Sequence, residues 1–154
     1  MSRKELHTID SKAFITELRQ KVNRRLLEIA RSYDDPQSLY RPIEYVLDGG
    51  GKRIRPILTL LANHAFQGPE QAALNAAVSL EMLHNFTLVH DDIMDEDYQR
   101  RGKPTVHTKW DVSTAILSGD NLLALAYKVL LRVRSDNLHQ ILDIYTDGLV
   151  DICE

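Results

Sequence analysis

Apolar residues recur at intervals of three and four along most of this sequence, and that spacing places them on one face of an α-helix. The first such face is marked by Ile15, Leu18, Val22, Leu26 and Ile29. The last one carries Leu138, Ile141, Leu142, Tyr145, Leu149 and Ile152. No stretch keeps the alternation of apolar and polar residues that is typical of a half-buried strand. The sequence therefore predicts an all-α fold, a bundle of long packed helices.

Helix-breaking residues divide the sequence between these two faces. Residues 34–36 (Asp-Asp-Pro) end the first predicted helix. Pro42 suits the first turn of a short second helix, which ends at the three glycines of residues 49–51. A third helix, ended by Gly68 and Pro69, carries Ile54, Ile57, Leu58, Leu61 and Ala65.

Two further segments, residues 70–94 and 113–131, are apolar around most of the helix circumference. Helices of that kind are buried among other helices, so two of them need more packing partners than 154 residues supply. The last predicted helix runs to Glu154 with no glycine, basic turn or proline to stop it. We therefore expect residues 1–154 to form one part of a longer single domain.

Charge, hydropathy and cysteine content exclude several function classes. The net charge is −3, with positive charge concentrated at residues 52–55 and 100–103, which argues against a nucleic-acid partner bound by bulk electrostatics. The longest nearly apolar stretch, residues 112–127, is interrupted by an aspartate and falls short of the ~20 apolar residues that a membrane span needs. Cys153 alone allows neither an internal disulfide nor a multi-cysteine zinc site. Residues 1–5 lead into no signal-like apolar core, so we expect a cytoplasmic protein without a membrane span.

An acidic cluster with the sequence Asp-Asp-Ile-Met-Asp occupies residues 91–95. Asp91 and Asp95 are four apart, so their carboxylates project from one helix face, with Asp92 adjacent. Carboxylate oxygens suit Mg²⁺, which usually takes one or two protein carboxylates and fills its shell with water and phosphate. Alone, such a cluster is more often a solvated acidic turn. The arginine pair at residues 100–101 favours a metal-bridged diphosphate site instead, because arginines bind phosphate oxygens in a bidentate fork.

A second candidate site is the sequence Gly-Gly-Gly-Lys-Arg-Ile-Arg-Pro at residues 49–56. Glycines let the backbone approach a ligand closely, and Lys52 and Arg55 follow at a predicted helix start, so the segment favours an anion. It lacks the spacing of a Walker loop. Taken alone, it also fits a glycine hinge with solvated basic residues.

Three histidines lie near these segments. His84 precedes Asp91 by seven residues, two helical turns, and so faces roughly the same way, although a lone histidine is more often a core residue. His90 and His107 form no pair spaced four apart on a helix face. A transition-metal site is therefore excluded in favour of magnesium.

The two segments, in this order and separation, resemble the trans-isoprenyl diphosphate synthases, or polyprenyl synthetases. Residues 50–56 match their Gly-Gly-Lys-Arg-x-Arg-Pro motif, and residues 88–107 match their first aspartate-rich motif with the Arg-Arg-Gly that follows it. Ser118, Gly119 and Asp120 also fit the family. The resemblance implies the type I isoprenoid synthase fold and condensation of an allylic diphosphate with isopentenyl diphosphate.

The resemblance also implies roles for individual residues. The isopentenyl diphosphate would be held by Lys52, Arg55, His84 and Arg101. Magnesium and the allylic diphosphate would be held by the catalytic residues Asp91, Asp95, Asp92 and Arg100. Arg53 lies in the motif without an assigned role.

Product length in this family depends on the residues four and five before the first aspartate, here Thr87 and Phe86. Thr87 lies directly beneath Asp91 on the helix, whereas Phe86 is offset by about 140° at 3.6 residues per turn. An aromatic residue at Phe86 alone resembles the archaeal enzymes that make geranylgeranyl diphosphate; farnesyl diphosphate is the other product considered.

Family members are considerably longer and carry a second aspartate-rich motif, which this sequence lacks. The resemblance therefore implies that residues 1–154 are the N-terminal half of one synthase domain, inactive alone, which forms a homodimer or associates with the missing half. Two alternatives stay open: a non-catalytic regulatory or assembly subunit of a split synthase, and a class I terpene cyclase-like protein. A cyclase uses no isopentenyl diphosphate and would have no need of Lys52, Arg55 and Arg101.

Overall fold

The computed structural model describes residues 11–154, and residues 1–5 lie outside this range. Helices dominate it, which confirms the predicted all-α fold. In chain order the elements are α1 (Ser11–Arg31), α2 (Gln37–Leu47), α3 (Ile54–Ala65), α4 (Glu70–Met94), β1 (Gln99–Arg100), β2 (Lys103–Pro104), α5 (Val106–Lys109), α6 (Val112–Leu130) and α7 (Leu138–Cys153).

Helix α4 runs through the centre of the molecule, as its apolar circumference predicted. Its residues Ala77, Val78 and Met82 are completely buried. Helix α6 packs closely against α4. A Cβ added at Gly119 of α6 would lie only 2.4 Å from Nε2 of His90 on α4. Most of the remaining core comes from α1, α2 and α6 and includes Val22, Leu26, Ile43, Leu47, Leu122 and Ala126.

The predicted position of Pro42 in the first turn of its helix is wrong. Helix α2 begins at Gln37, directly after Pro36, so Pro42 lies inside the helix. Pro36 has the extended backbone of an N-terminal cap, and its carbonyl accepts hydrogen bonds from the amides of Leu39 and Tyr40 at 3.0 and 3.2 Å. Pro42 lacks an N–H for the helix ladder, and its ring is buried instead.

A two-stranded hairpin was not predicted. Strands β1 and β2 have two residues each, too few to show an alternating pattern. They pair antiparallel, with Arg100 opposite Lys103. The turn residues Arg101 and Gly102 both have positive φ, 54° and 75°, as a type I′ turn requires. The conformation of this turn sets the backbone direction at Arg100 and Arg101.

The apolar faces of α3 and α7 are only partly buried. On α3, Ile57 is buried, but Ile54 and Leu58 are 55% and 59% exposed. No residue of α7 is fully buried, and Ile152 is exposed. None of the helices between residues 11 and 154 combines the length and the apolar content that crossing a membrane requires.

Candidate active site

The glycine-rich loop between α2 and α3 lies against the hairpin turn. Gly50 and Gly51 have φ values of 73° and 132°, which only glycine adopts freely. A Cβ at Gly51 would lie 2.6 Å from Nη1 of Arg101, so a side chain there would displace the Arg101 guanidinium. The same Nη1 donates a hydrogen bond to the carbonyl of Gly50. The glycine-rich loop is therefore in direct contact with the Arg101 guanidinium.

Arg55, in the first turn of α3, contacts His84 on α4, with 3.2 Å between Nη1 and Nε2. Burial lowers the pKa of the His84 imidazole below its usual value, and the positive charges of Arg55 and Arg101 lower it further. Lys52 and Arg55 are both exposed. The structure thus brings Arg55, Arg101 and His84 together, with Lys52 exposed in the adjoining loop.

Arg53, between these exposed cations, is buried. Its guanidinium donates to three acceptors: Nε to Asn23 Oδ1 at 2.8 Å, Nη1 to Glu81 Oε1 at 2.8 Å, and Nη2 to the carbonyl of Leu47 at 2.7 Å. Its backbone has a φ of 53°, a left-handed conformation that costs a non-glycine residue about 1–3 kcal/mol. The three hydrogen bonds offset that cost.

The three aspartates of the acidic cluster do not point the same way. Asp91 and Asp95 lie at the end of α4, half-buried and exposed respectively. Asp92 faces inward, where Nε of Arg100 donates to its Oδ1 at 2.6 Å. Burial raises the pKa of the Asp92 carboxyl, and the ion pair with Arg100 opposes that effect. Asp92 is therefore a structural partner of Arg100 in this geometry.

The donor set at Asp91 and Asp95 fits magnesium. These two carboxylates are on one face of α4, the number that Mg²⁺ usually takes from a protein when phosphate and water complete its shell. Within residues 11–154, no group of three or more histidines, cysteines and acids is close enough to hold a metal without such a bridging ligand.

Arg100 is the predicted contact for the allylic diphosphate. In the structure its guanidinium is one third exposed and bound to Asp92, with Asp97 also within 3.8 Å. Free N–H groups of the guanidinium remain for a second anion, because arginine carries five donors. The role of Arg100 stays a prediction.

An apolar pocket of about 320 Å³ lies between α3, α4, α6 and α7, and its lining residue nearest to the acidic cluster along α4 is Leu83. Leu80 and Leu83 of α4 line it, and Thr87 follows Leu83 by one helical turn on the same face, toward Asp91. Phe86 instead contacts the ring of His90, with 4.8 Å between the ring centroids. Of the two predicted chain-length residues, Thr87 therefore lies between the pocket and the acids.

Sequence reasoning missed two partners of this site, Asn23 and Glu81. Nothing in the sequence pattern of α1 marks Asn23, because its role depends on packing against a distant loop. Glu81 did carry a signal, since a charged residue inside an otherwise apolar helix requires a partner. It is 3% exposed and pairs with Arg53.

Residues 36–154 match the family described as polyprenyl synthetase. The chain is 43% identical over 135 residues to the geranylgeranyl pyrophosphate synthase of Geoglobus acetivorans, which covers 86% of this chain and 42% of that protein. It is also 43% identical over 121 residues to the geranylgeranyl diphosphate synthase of Methanosarcina mazei, covering 77% of this chain and 37% of the relative.

The chain belongs to the polyprenyl synthetase family.

Solved structures of family members have the same fold. The geranylgeranyl pyrophosphate synthetase of Geoglobus acetivorans superposes with a TM-score of 0.86 at 41% identity, covering 91% of this chain and 46% of that one. The enzyme from Pyrococcus horikoshii gives a TM-score of 0.85 at 36% identity, covering 92% and 43%. The predicted isoprenoid synthase fold is therefore confirmed. The chain spans less than half the length of these polyprenyl synthetases.

Proposed function

We propose that this chain supplies the isopentenyl diphosphate site and the first magnesium-binding carboxylates of a prenyl diphosphate synthase. The observation that carries the proposal is the position of the cations, which contact α4 at His84, relative to the carboxylates at the end of the same helix. His84, held beside Arg55, precedes Asp91 on α4 by two turns, about 10 Å at 1.5 Å per residue. One diphosphate at the cations and a second one at the carboxylates would then lie side by side.

Each group has a distinct part in binding. The diphosphate of isopentenyl diphosphate binds Lys52, Arg55, His84 and Arg101. Asp91 and Asp95 hold Mg²⁺, which neutralises the charge of the departing pyrophosphate when bound. Arg100, oriented by Asp92, contacts the allylic diphosphate.

The protein residues stabilise charge and exclude water. Ionisation of an allylic diphosphate leaves negative charge on pyrophosphate, and a preorganised arginine stabilises that charge without reorganisation. The carbocation needs an apolar surrounding that keeps water away. Leu80, Leu83 and the pocket below Thr87 supply that surrounding.

For the product, we propose geranylgeranyl diphosphate, with farnesyl diphosphate as the shorter possibility. The relatives from Geoglobus acetivorans and Methanosarcina mazei are a geranylgeranyl pyrophosphate and a geranylgeranyl diphosphate synthase, respectively. Thr87 is the residue whose size would limit chain growth, because it lies between Asp91 and the apolar pocket. The assembly that turns over is proposed to be a homodimer or a complex with the remaining part of the domain.

Calorimetric titration with inorganic pyrophosphate tests the binding sites. We expect binding that strengthens on addition of Mg²⁺. Lys52→Ala combined with Arg55→Ala removes the magnesium-independent part, and Asp91→Asn combined with Asp95→Asn removes the magnesium-dependent part. Arg31→Ala is a matched control, because it removes an exposed cation that pairs with Glu44. Equal binding by all variants would refute the proposed site.

A radiolabelled isopentenyl incorporation assay tests turnover. We expect none from the 154-residue chain alone, because its sequence lacks the second aspartate-rich motif that the family resemblance implies for a complete metal site. Turnover by the purified chain without a partner would contradict this expectation.

A regulatory subunit of a split synthase is a second candidate, favoured by the exposed apolar residues of α3, α6 and α7. It predicts tight association with a complete synthase and no change in that enzyme's activity when Asp91 and Asp95 are replaced. A class I cyclase is disfavoured, because it leaves Lys52, Arg55 and Arg101 without a ligand.

A further inference from the structure

We propose that Arg53 is a positioning residue of the diphosphate site, which anchors the glycine-rich loop so that Lys52 and Arg55 face the anion. This inference rests on the proposed function and extends it. The motif places three cations within four residues, and the structure separates them into two kinds. Lys52 and Arg55 are exposed, whereas the Arg53 side chain is 1% exposed.

The anchor joins three separate elements. Arg53 donates to Asn23 on α1, to the carbonyl of Leu47 at the end of α2, and to Glu81 on α4. These three acceptors surround the guanidinium plane. The loop between α2 and α3 is therefore fastened to the helical core at one residue, directly between the two exposed cations.

The backbone of the loop needs such an anchor. Arg53 has a left-handed φ of 53° and follows two glycines with positive φ. Non-glycine residues in this region persist where the surroundings over-determine them, and such residues cluster at functional sites. Here the side-chain hydrogen bonds maintain the backbone conformation that starts α3 and directs Arg55 toward His84.

Arg53 also neutralises a carboxylate that would oppose the ligand. Glu81 lies three residues before His84 on α4, one helical turn from the cation group. Without Arg53, its buried negative charge would repel a diphosphate bound at His84. The pair places a neutral unit beneath the anion site.

Lysine cannot replace this arginine. One ammonium nitrogen on a flexible stem cannot reach three acceptors that lie in different directions, whereas the planar guanidinium does so with one rotamer. Charge alone is thus insufficient for the proposed role.

The test measures pyrophosphate affinity and stability on the same variants. Arg53→Lys is expected to weaken pyrophosphate binding about tenfold, the equivalent of about 1.4 kcal/mol. The double variant Arg53→Met with Glu81→Met removes both charges together. We expect it to be more stable than Arg53→Lys, because apolar replacements of buried ion pairs often stabilise a protein. Its pyrophosphate affinity is expected to stay about tenfold below wild type, because the anchor is still missing.

Val129→Ala is the control for a general loss of stability. Val129 is buried in the C-terminal half of α6 and outside the proposed site. We expect it to be less stable than wild type and to bind pyrophosphate equally well. The inference is overturned if Val129→Ala loses as much affinity as Arg53→Lys, or if the double variant regains affinity together with stability.

A ligand-free measurement separates this inference from the proposed function. The pKa of His84, followed by NMR, is lowered in wild type partly by Arg55, while Glu81 alone acts to raise it. Removing Glu81 would by itself lower the pKa further. A rise in the double variant therefore reports that the loop no longer keeps His84 covered and beside Arg55, as the loss of the anchor is expected to cause. A lower pKa, as the loss of Glu81 with Arg55 still in place would give, overturns the positioning role, whereas wild type that fails to bind pyrophosphate overturns the proposed function.

Discussion

Neighbouring acids at the end of α4 have different environments although they share one motif. Asp92 is 5% exposed and bound to Arg100, while Asp91 is half-buried and Asp95 is exposed. Adjacent positions on a helix point about 100° apart, so Asp92 faces the interior while Asp91 points in another direction. In the glycine-rich loop, Arg53 is likewise buried next to exposed Lys52, but there the irregular backbone sets the directions.

Replacing each aspartate separately should distinguish structural from ligand-binding acids. Asp92→Ala is expected to lower the free energy of unfolding by about 1–2 kcal/mol, because Arg100 loses its acceptor in a largely buried place. Asp91→Ala and Asp95→Ala are expected to change it by less than about 0.5 kcal/mol, since negative charge at a helix C-terminus is unfavourable. Urea denaturation of the magnesium-free protein measures all three.

Asp92→Asn is the conservative control for this series. Its amide oxygen still accepts from Arg100 and carries no charge whose burial is costly, as the raised pKa of Asp92 indicates. We expect a smaller loss than for alanine. Equal losses at all three positions would contradict the distinction between inward and outward aspartates.

Several residues of the site could be predicted from the sequence because their signals are local. The spacing of Asp91 and Asp95 places them on one helix face, and the glycines before Lys52 predict an anion-binding loop. Asn23 and Glu81 could not be assigned as partners of Arg53, because those contacts join residues 30 and 28 positions apart. Sequence periodicity carries no information on such long-range pairs.

At the scale of elements, long helices were predictable and short ones were not. The pattern placed α4 and α6 because an all-round apolar segment is visible over many residues. The hairpin and α5 contain too few residues for any periodicity. Pro42 misled the prediction of where α2 starts, because both Pro36 and Pro42 satisfy the preference for proline near a helix start.

Helix α7 is attached mainly by one hydrogen-bonded tyrosine. The Tyr145 hydroxyl donates to the carbonyl of Ser79 at 3.1 Å and lies 3.0 Å from Ser79 Oγ, which donates to the carbonyl of Ala126 at 2.8 Å. Burial raises the pKa of Tyr145 to about 12. The rest of α7 has no fully buried side chain.

Hydrogen exchange should therefore divide the molecule into a stable centre and a weak end. We expect amides of α7 to exchange on the order of 10²-fold faster than those in the middle of α4, because α7 opens locally without exposing the core. Tyr145→Phe should accelerate α7 further, by a factor equivalent to about 1 kcal/mol, and leave α4 unchanged.

Tyr127→Phe is the matched control for this effect. Its hydroxyl lies 3.3 Å from Thr146 Oγ1 in an exposed contact between α6 and α7. Loss of the Tyr127 hydroxyl should accelerate amide exchange in α7 less than loss of the buried Tyr145 hydroxyl does. Exchange of α4 and α7 at one common rate would show that the helices open as a single unit and would contradict the prediction.

The whole molecule leaves apolar side chains uncovered on several helices. Ile116 and Leu117 of α6 are 43% and 60% exposed, and Leu58 of α3 is 59% exposed. Ile144 and Val150 of α7 add to this surface. Large exposed apolar patches on a soluble chain mark interaction surfaces or aggregation-prone surfaces. The chain also spans only 42% of the geranylgeranyl pyrophosphate synthase of Geoglobus acetivorans.

Self-association of the isolated chain follows from this uncovered surface and from the proposed homodimer. Light scattering after size-exclusion chromatography should give a mass above the 17.6 kDa of one chain. Ile116→Asp combined with Leu117→Asp should shift the mass to the monomer, because charge in a contact surface must be desolvated without a partner.

Phe66→Asp is the matched control, since Phe66 is 86% exposed in the short turn after α3 and outside α6. If the double variant associates as strongly as wild type while Phe66→Asp becomes monomeric, the α6 face is not the contact surface. A wild-type mass of one chain would show that the uncovered residues do not drive association between copies.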